Sequence, residues 1–123
     1  MPDSERQPSG ATILLVDDED FVRLMMRRIL GGAGHRTVEA GDGLQALRTL
    51  GRDGHGVRLV ISDVAMPRMS GDELAAEIRA RWPELPVLLI SGYARSLSSD
   101  VEFMPKPFDS QAVLQRVDAL LGR

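Results

Sequence analysis

From Ala11 onward, short apolar runs alternate along the chain with segments whose apolar positions recur at helical spacing. Strands are expected at about 11–16, 36–39, 58–62, 86–90 and 101–104, and helices at about 19–31, 42–52, 71–82 and 110–121. Ile13–Val16 and Val87–Ile90 are wholly apolar, as strands covered on both faces require. Val22, Met26, Ile29 and Leu30 make one helical stripe. Leu74, Ile78 and Trp82 make a second, and Val113, Leu114, Val117, Leu120 and Leu121 a third. Gly31-Gly32 and Gly122 stand where helix stops belong, and Asp109 or Ser110 suits an N-cap. Strand and helix taking turns in this way read as βα units around a parallel sheet, an α/β doubly wound fold. Gly92–Asp100 is too short and serine-rich for a full helix, so one turn or an irregular loop is expected there. Residues 1–10 are polar and Pro/Ser-rich, and read as a disordered tail ahead of a domain spanning 11–123.

Composition narrows the functions open to such a domain. At 123 residues it is one unit, able to bury a core without staples. With no cysteine, neither disulfides nor thiolate metal sites are available. A formal charge of −3 argues against a nucleic-acid footprint. No apolar stretch approaches the ~20 residues of a membrane span, and no signal-peptide core is present. A cytoplasmic setting without membrane or nucleic-acid partners is the expectation.

The chemistry sits where strands end. Asp17 and Asp18 follow the first strand, Asp63 the third, Ser91 the fourth and Lys106 the fifth. In an open α/β sheet, ligands bind outside the carboxyl ends of the strands, so these side chains would share one crevice. Clustered carboxylates repel unless a cation lies between them, and a hard dication such as Mg²⁺ suits oxygen ligands. A carboxylate such as Asp63 can act as a phosphoryl-accepting nucleophile. Lys106, held between Pro105 and Pro107, can meet phosphate as a point charge. Each feature alone has a plainer reading: first-turn acids, a turn-capping aspartate, a Ser-Gly turn, a surface lysine. Together and in this order they leave those readings little room.

Val16-Asp17-Asp18-Glu19, then Asp63-Val64-Ala65-Met66-Pro67-Arg68-Met69-Ser70-Gly71, then Ser91 and Lys106-Pro107-Phe108, resemble the receiver domains of bacterial two-component response regulators. The likeness extends over about residues 11–121. It implies a flavodoxin-like five-stranded parallel sheet in the order 2-1-3-4-5. It also implies Asp63 as phosphoacceptor, and a Mg²⁺ site formed by Asp18, Asp63, the Ala65 carbonyl and, through water, Asp17. Ser91 stands at the switch hydroxyl, Phe103 at the switch aromatic, and Lys106 at the phosphate-binding lysine. The Lys106-Pro107 peptide would be cis; Tyr93, two residues beyond the switch hydroxyl, would either cover the phosphoryl group, which the adjacent Gly92 favours, or hold a water with its hydroxyl. Lys106 lies only 15 residues beyond Ser91, which implies a shortened or missing fourth helix. Ser91-Gly92-Tyr93-Ala94 with Phe103–Phe108 is similar to terminal receivers of hybrid histidine kinases. A stand-alone regulator with no effector domain is the other form the chain could take.

The function expected on these grounds is a phosphorelay module that accepts a phosphoryl group from a histidine kinase or histidine phosphotransfer protein. It would catalyse its own modification and turn over no external substrate. Phe21, Leu24 and Met25, apolar on a face of the first helix that is otherwise exposed, are the expected partner-docking residues. With the fourth helix cut short, a monomer is expected. Two rivals remain: a Mg²⁺-dependent phosphatase, for which Asp20 lies two residues beyond Asp18, and an interaction module that works without phosphorylation.

Overall fold

The computed structural model describes residues 10–92, 102–106 and 108–122. Its elements run β1 (Thr12–Val16), α1 (Asp20–Gly32), β2 (Arg36–Ala40), α2 (Gly43–Leu50), β3 (Val57–Asp63), α3 (Gly71–Arg81), β4 (Val87–Ser91), β5 (Glu102–Pro105) and α4 (Ser110–Leu120). All strand pairs are parallel, in the order β2-β1-β3-β4-β5. The expected doubly wound sheet in the order 2-1-3-4-5 is therefore present. Among the described residues there are four helices. Of the expected loop at Gly92–Asp100, residues 93–100, Tyr93 among them, lie outside the described residues, and so does Pro107, on which the expected cis peptide depends.

Side chains alternate across the strands, so each face of the sheet gathers its own core. Ile13 and Leu15 of β1 join Leu59, Ile61, Leu88 and Ile90 under Met26 and Leu30 of α1 and Val113 and Val117 of α4. Leu14 and Val16 join Val60 on the other face, under Ala46 and Leu50 of α2 and Leu74 and Ile78 of α3. Burying a side chain of this size contributes roughly 1.5–3 kcal/mol each, which makes these two layers the main support of the strand ends.

Helix ends follow local chemistry. Asp42 caps α2 by accepting from the Gln45 amide at 2.8 Å, and Asp109 caps α4 by accepting from the Ala112 amide at 2.7 Å. Ser70 and Glu73 form a reciprocal capping box at α3. One expected stop is displaced. α1 runs through both Gly31 and Gly32, and its end is set by Ala33 and by Gly34 at φ 91°. Interior glycine costs about 1 kcal/mol yet does not break a helix, whereas a left-handed residue does. α2 spans 43–50 where 42–52 was expected, because Asp42 and Gly51 are its caps.

Candidate functional site

The strand order reverses between β1 and β3, and the crevice above that reversal is where the sequence's acidic residues meet. Asp17 directly follows β1 and is buried, while Asp63 closes β3. Two main-chain bonds extend the sheet ladder past these strand ends: Asp17 N–H donates to Ala40 O at 3.2 Å, and Val64 N–H donates to Ile90 O at 3.1 Å. Carboxylate oxygens of Asp17, Asp18 and Asp63 all lie within 4.8 Å of one another. Lys106 Nζ approaches Asp63 Oδ1 at 3.4 Å, and its own amide donates to Ser91 O at 2.7 Å, tying it to the end of β4. Ser91 is buried at that strand end.

The electrostatics are unbalanced. Three carboxylates face one ammonium, and burial pushes the Asp17 carboxyl up to about 6. The Glu19 amide and Lys106 pull it back, and the charges of Asp63 and Asp18 push it further up. A crevice that keeps excess negative charge, with oxygen donors this close together, fits a hard divalent cation such as Mg²⁺. Asp17, Asp18 and Asp63 are the side chains that can hold it. Ala65, whose carbonyl was expected to join them, lies exposed in the loop two residues beyond Asp63.

That loop is clamped from below. A Cβ on Gly71 would sit 2.3 Å from Asp63 O and 2.9 Å from the Val64 Cα, so no larger residue fits without moving the Asp63 backbone. Gly71 N–H also donates to Val64 O at 2.8 Å. Arg68 adopts φ 68°, and its guanidinium meets Asp42 at 2.9 Å, linking the loop to the cap of α2. The Gln45 amide and Arg68 hold the Asp42 carboxyl below its usual range.

Phe103 is half-buried on β5 at the edge of the sheet, outside both core clusters, and its carbonyl accepts from Arg116 at 2.8 Å. Phe21 and Met25 are 68% and 41% exposed. With Val22, Ile29 and Phe108 they line a groove of about 880 Å³ that reaches Lys106. Leu24, expected beside them, is partly covered and is not among the residues lining this groove. Asp20, needed by the phosphatase reading, is on the exposed first turn of α1 and paired with Arg23, outside the carboxylate cluster.

Arg23 and Asp42 had no part in the sequence reading, and Arg68 and Gly71 entered it only as motif residues without a structural role. The spacing of Asp20 and Arg23, three residues apart on a helix, is the signal that could have found the first pairing.

Residues 13–118 match the response regulator receiver domain family. The chain is 39% identical over 121 residues to the sensor kinase CckA of Brucella abortus, covering 93% of this chain and 13% of that protein. It spans 51% and 24% of two other curated relatives. Among solved structures, the receiver domain of the hybrid histidine kinase CckA aligns with a TM-score of 0.78 at 38% identity, covering 89% of this chain and 98% of that one. The response regulator TrrA of Thermotoga maritima, solved in complex with Mg²⁺-BeF, aligns at 0.79 with 30% identity, covering 89% and 98%.

Proposed function

This chain belongs to the response regulator receiver domain family, and from that premise we propose that it is the phosphoacceptor of a two-component phosphorelay, modified on Asp63. One observation carries the reading. Asp63 touches both kinds of neighbour that phosphoryl transfer needs, the carboxylates of Asp17 and Asp18 within 4.8 Å and the Lys106 ammonium at 3.4 Å. The relative solved with Mg²⁺-BeF supports the metal assignment by analogy.

A bound Mg²⁺ would supply the positive charge that lets an anionic carboxylate meet an anionic phosphoryl group. Asp18, Asp63 and the Ala65 carbonyl would hold it directly, and Asp17 through water. The Asp63 oxygen forms a bond to phosphorus as the P–N bond to the donor imidazole breaks, with the electron pair leaving on that imidazole. Lys106 exchanges its carboxylate partner for a phosphoryl oxygen and offsets the charge there. Ser91 then turns towards the phosphoryl group, and Phe103 follows, changing the surface around β5. The donor, a histidine kinase or histidine phosphotransfer protein, docks against the Phe21–Met25 groove beside Lys106. The module works in the cytoplasm and catalyses only its own phosphorylation and dephosphorylation. Among the described residues, no helix is long and apolar enough to cross a membrane.

The phosphatase reading is weaker, because Asp20 is committed to Arg23 and not to the crevice. Intact-mass measurement after incubation with a small acyl phosphate and Mg²⁺ tests the assignment. An adduct of about 80 Da, one phosphoryl group on one nucleophile, is expected on the wild type, slowed by chelation and absent from Asp63→Asn. An adduct of equal yield on Asp63→Asn overturns it.

A further inference from the structure

Asp18 is exposed, yet the proposed function, on which this inference rests, asks it to bind metal directly. Its carboxylate must then take its direction from the backbone, and both peptide units flanking it are fastened. On the near side, Asp17 O accepts from Arg23 Nη1. On the far side, the Glu19 N–H donates to Asp17 Oδ1 at 2.9 Å. With Asp17 N–H already bonded to Ala40 O, the turn that carries Asp18 is held at three points, and only one of them is a side chain remote in sequence.

That side chain is built for the task. Arg23 is 16% exposed and uses its whole fork: Nη1 on Asp17 O, Nη2 on Asp20 Oδ1 and Nε on Glu39 Oε1 at 3.0 Å. Glu39, on β2, is held in turn by Arg27 at 2.8 Å. The two arginines are matched by Asp20 and Glu39, so the cluster carries no excess positive charge that would repel a cation in the crevice. Its effect on the site is therefore geometric. A lysine could keep the charge but could not span three acceptors in one plane.

We infer that Arg23 is a positioning residue for the metal site, which orients Asp18 by fixing the carbonyl of Asp17 from α1 and β2. Partners that orient metal ligands typically change affinity 10–100-fold when lost. The test is a Mg²⁺ titration followed by amide NMR shifts, alongside small-donor phosphorylation as a function of Mg²⁺ concentration. Arg23→Met is expected to raise the Mg²⁺ dissociation constant at least about tenfold, with the phosphorylation rate at saturating Mg²⁺ within about twofold of the wild type. Arg23→Lys should fail to restore affinity. Glu39→Gln, which loosens Arg23 without removing it, should shift affinity in the same direction by less, and it serves if Arg23→Met does not fold. An unchanged or tighter Mg²⁺ affinity in folded Arg23→Met overturns the inference, and so does full rescue by Arg23→Lys, since charge would then be the cause. A wild type that binds no Mg²⁺ would instead overturn the proposed function.

Discussion

Asp17 is the residue at which burial and function oppose each other most directly. It titrates near 3.8 when unfolded and at about 6 in the fold. Between those values the folded chain holds more protons than the unfolded one, so the sign is negative: stability falls as pH rises. Its contribution is full below about pH 4 and lost as pH passes through 6, a difference of ~3 kcal/mol. Urea unfolding in chelator at pH 4 and pH 7.5 should show Asp17→Asn gaining on the wild type at the higher pH by an amount of that order. Saturating Mg²⁺ should shrink the gap, and an equal pH response in both proteins would refute the account. Asp17, Asp18, Asp63 and Lys106 were legible in the sequence because each follows an apolar strand, and strand ends converge in this class of sheet. Arg23 was not, because its three acceptors come from the turn after β1, from α1 and from β2, and the first is a main-chain carbonyl that no sequence pattern displays.

Among the elements, α1 carries two stripes. Met26 and Leu30 enter the core, while Phe21 and Met25 remain in the open groove next to Lys106. If a donor's helices dock there, Met25→Asp should slow phosphotransfer from a phosphorylated histidine protein about tenfold or more, since ~1.4 kcal/mol suffices for tenfold. Small-donor phosphorylation should be unaffected. Equal loss with both donors would point to misfolding. The helical wheel placed Met26 and Leu30 in the core, but Val22 and Ile29 of the same stripe are only partly buried and also line the groove, and the wheel could not rank the surface residues. Leu24 is partly covered, unlike Met25, and that difference depends on neighbours from other elements. The end of α1 was misplaced for a related reason, since composition marks Gly31-Gly32 while the stop depends on the left-handed conformation of Gly34.

For the molecule as a whole, the topology was legible and the assembly state remains a proposal. Strand order came with the family resemblance, and the two cores followed from the wholly apolar run of β1, whose successive side chains enter opposite faces of the sheet. The 15-residue passage from Ser91 to Lys106 is the sequence feature behind the expectation of a shortened or missing fourth helix. A monomer is therefore expected both before and after phosphorylation. Light scattering that found a stable dimer of the phosphorylated form would refute it.

β5 has a further effect through its position in the sheet. Among the described residues it has four, it is an edge strand, and it pairs with β4 alone. Local opening of such a strand requires far less free energy than global unfolding. The Lys106 amide is bonded to Ser91 O just past its end, so an opening of β5 would release Lys106 and Phe103 together. Native-state hydrogen exchange should find the β5 and Lys106 amides exchanging through a sub-global opening, while those of β1 and β3 wait for complete unfolding. Equal protection throughout the sheet would show that β5 opens only with the rest. If the difference is present, the lifetime of the grip on an acyl phosphate is bounded by the fraying of one short strand, and stabilising that edge would lengthen it.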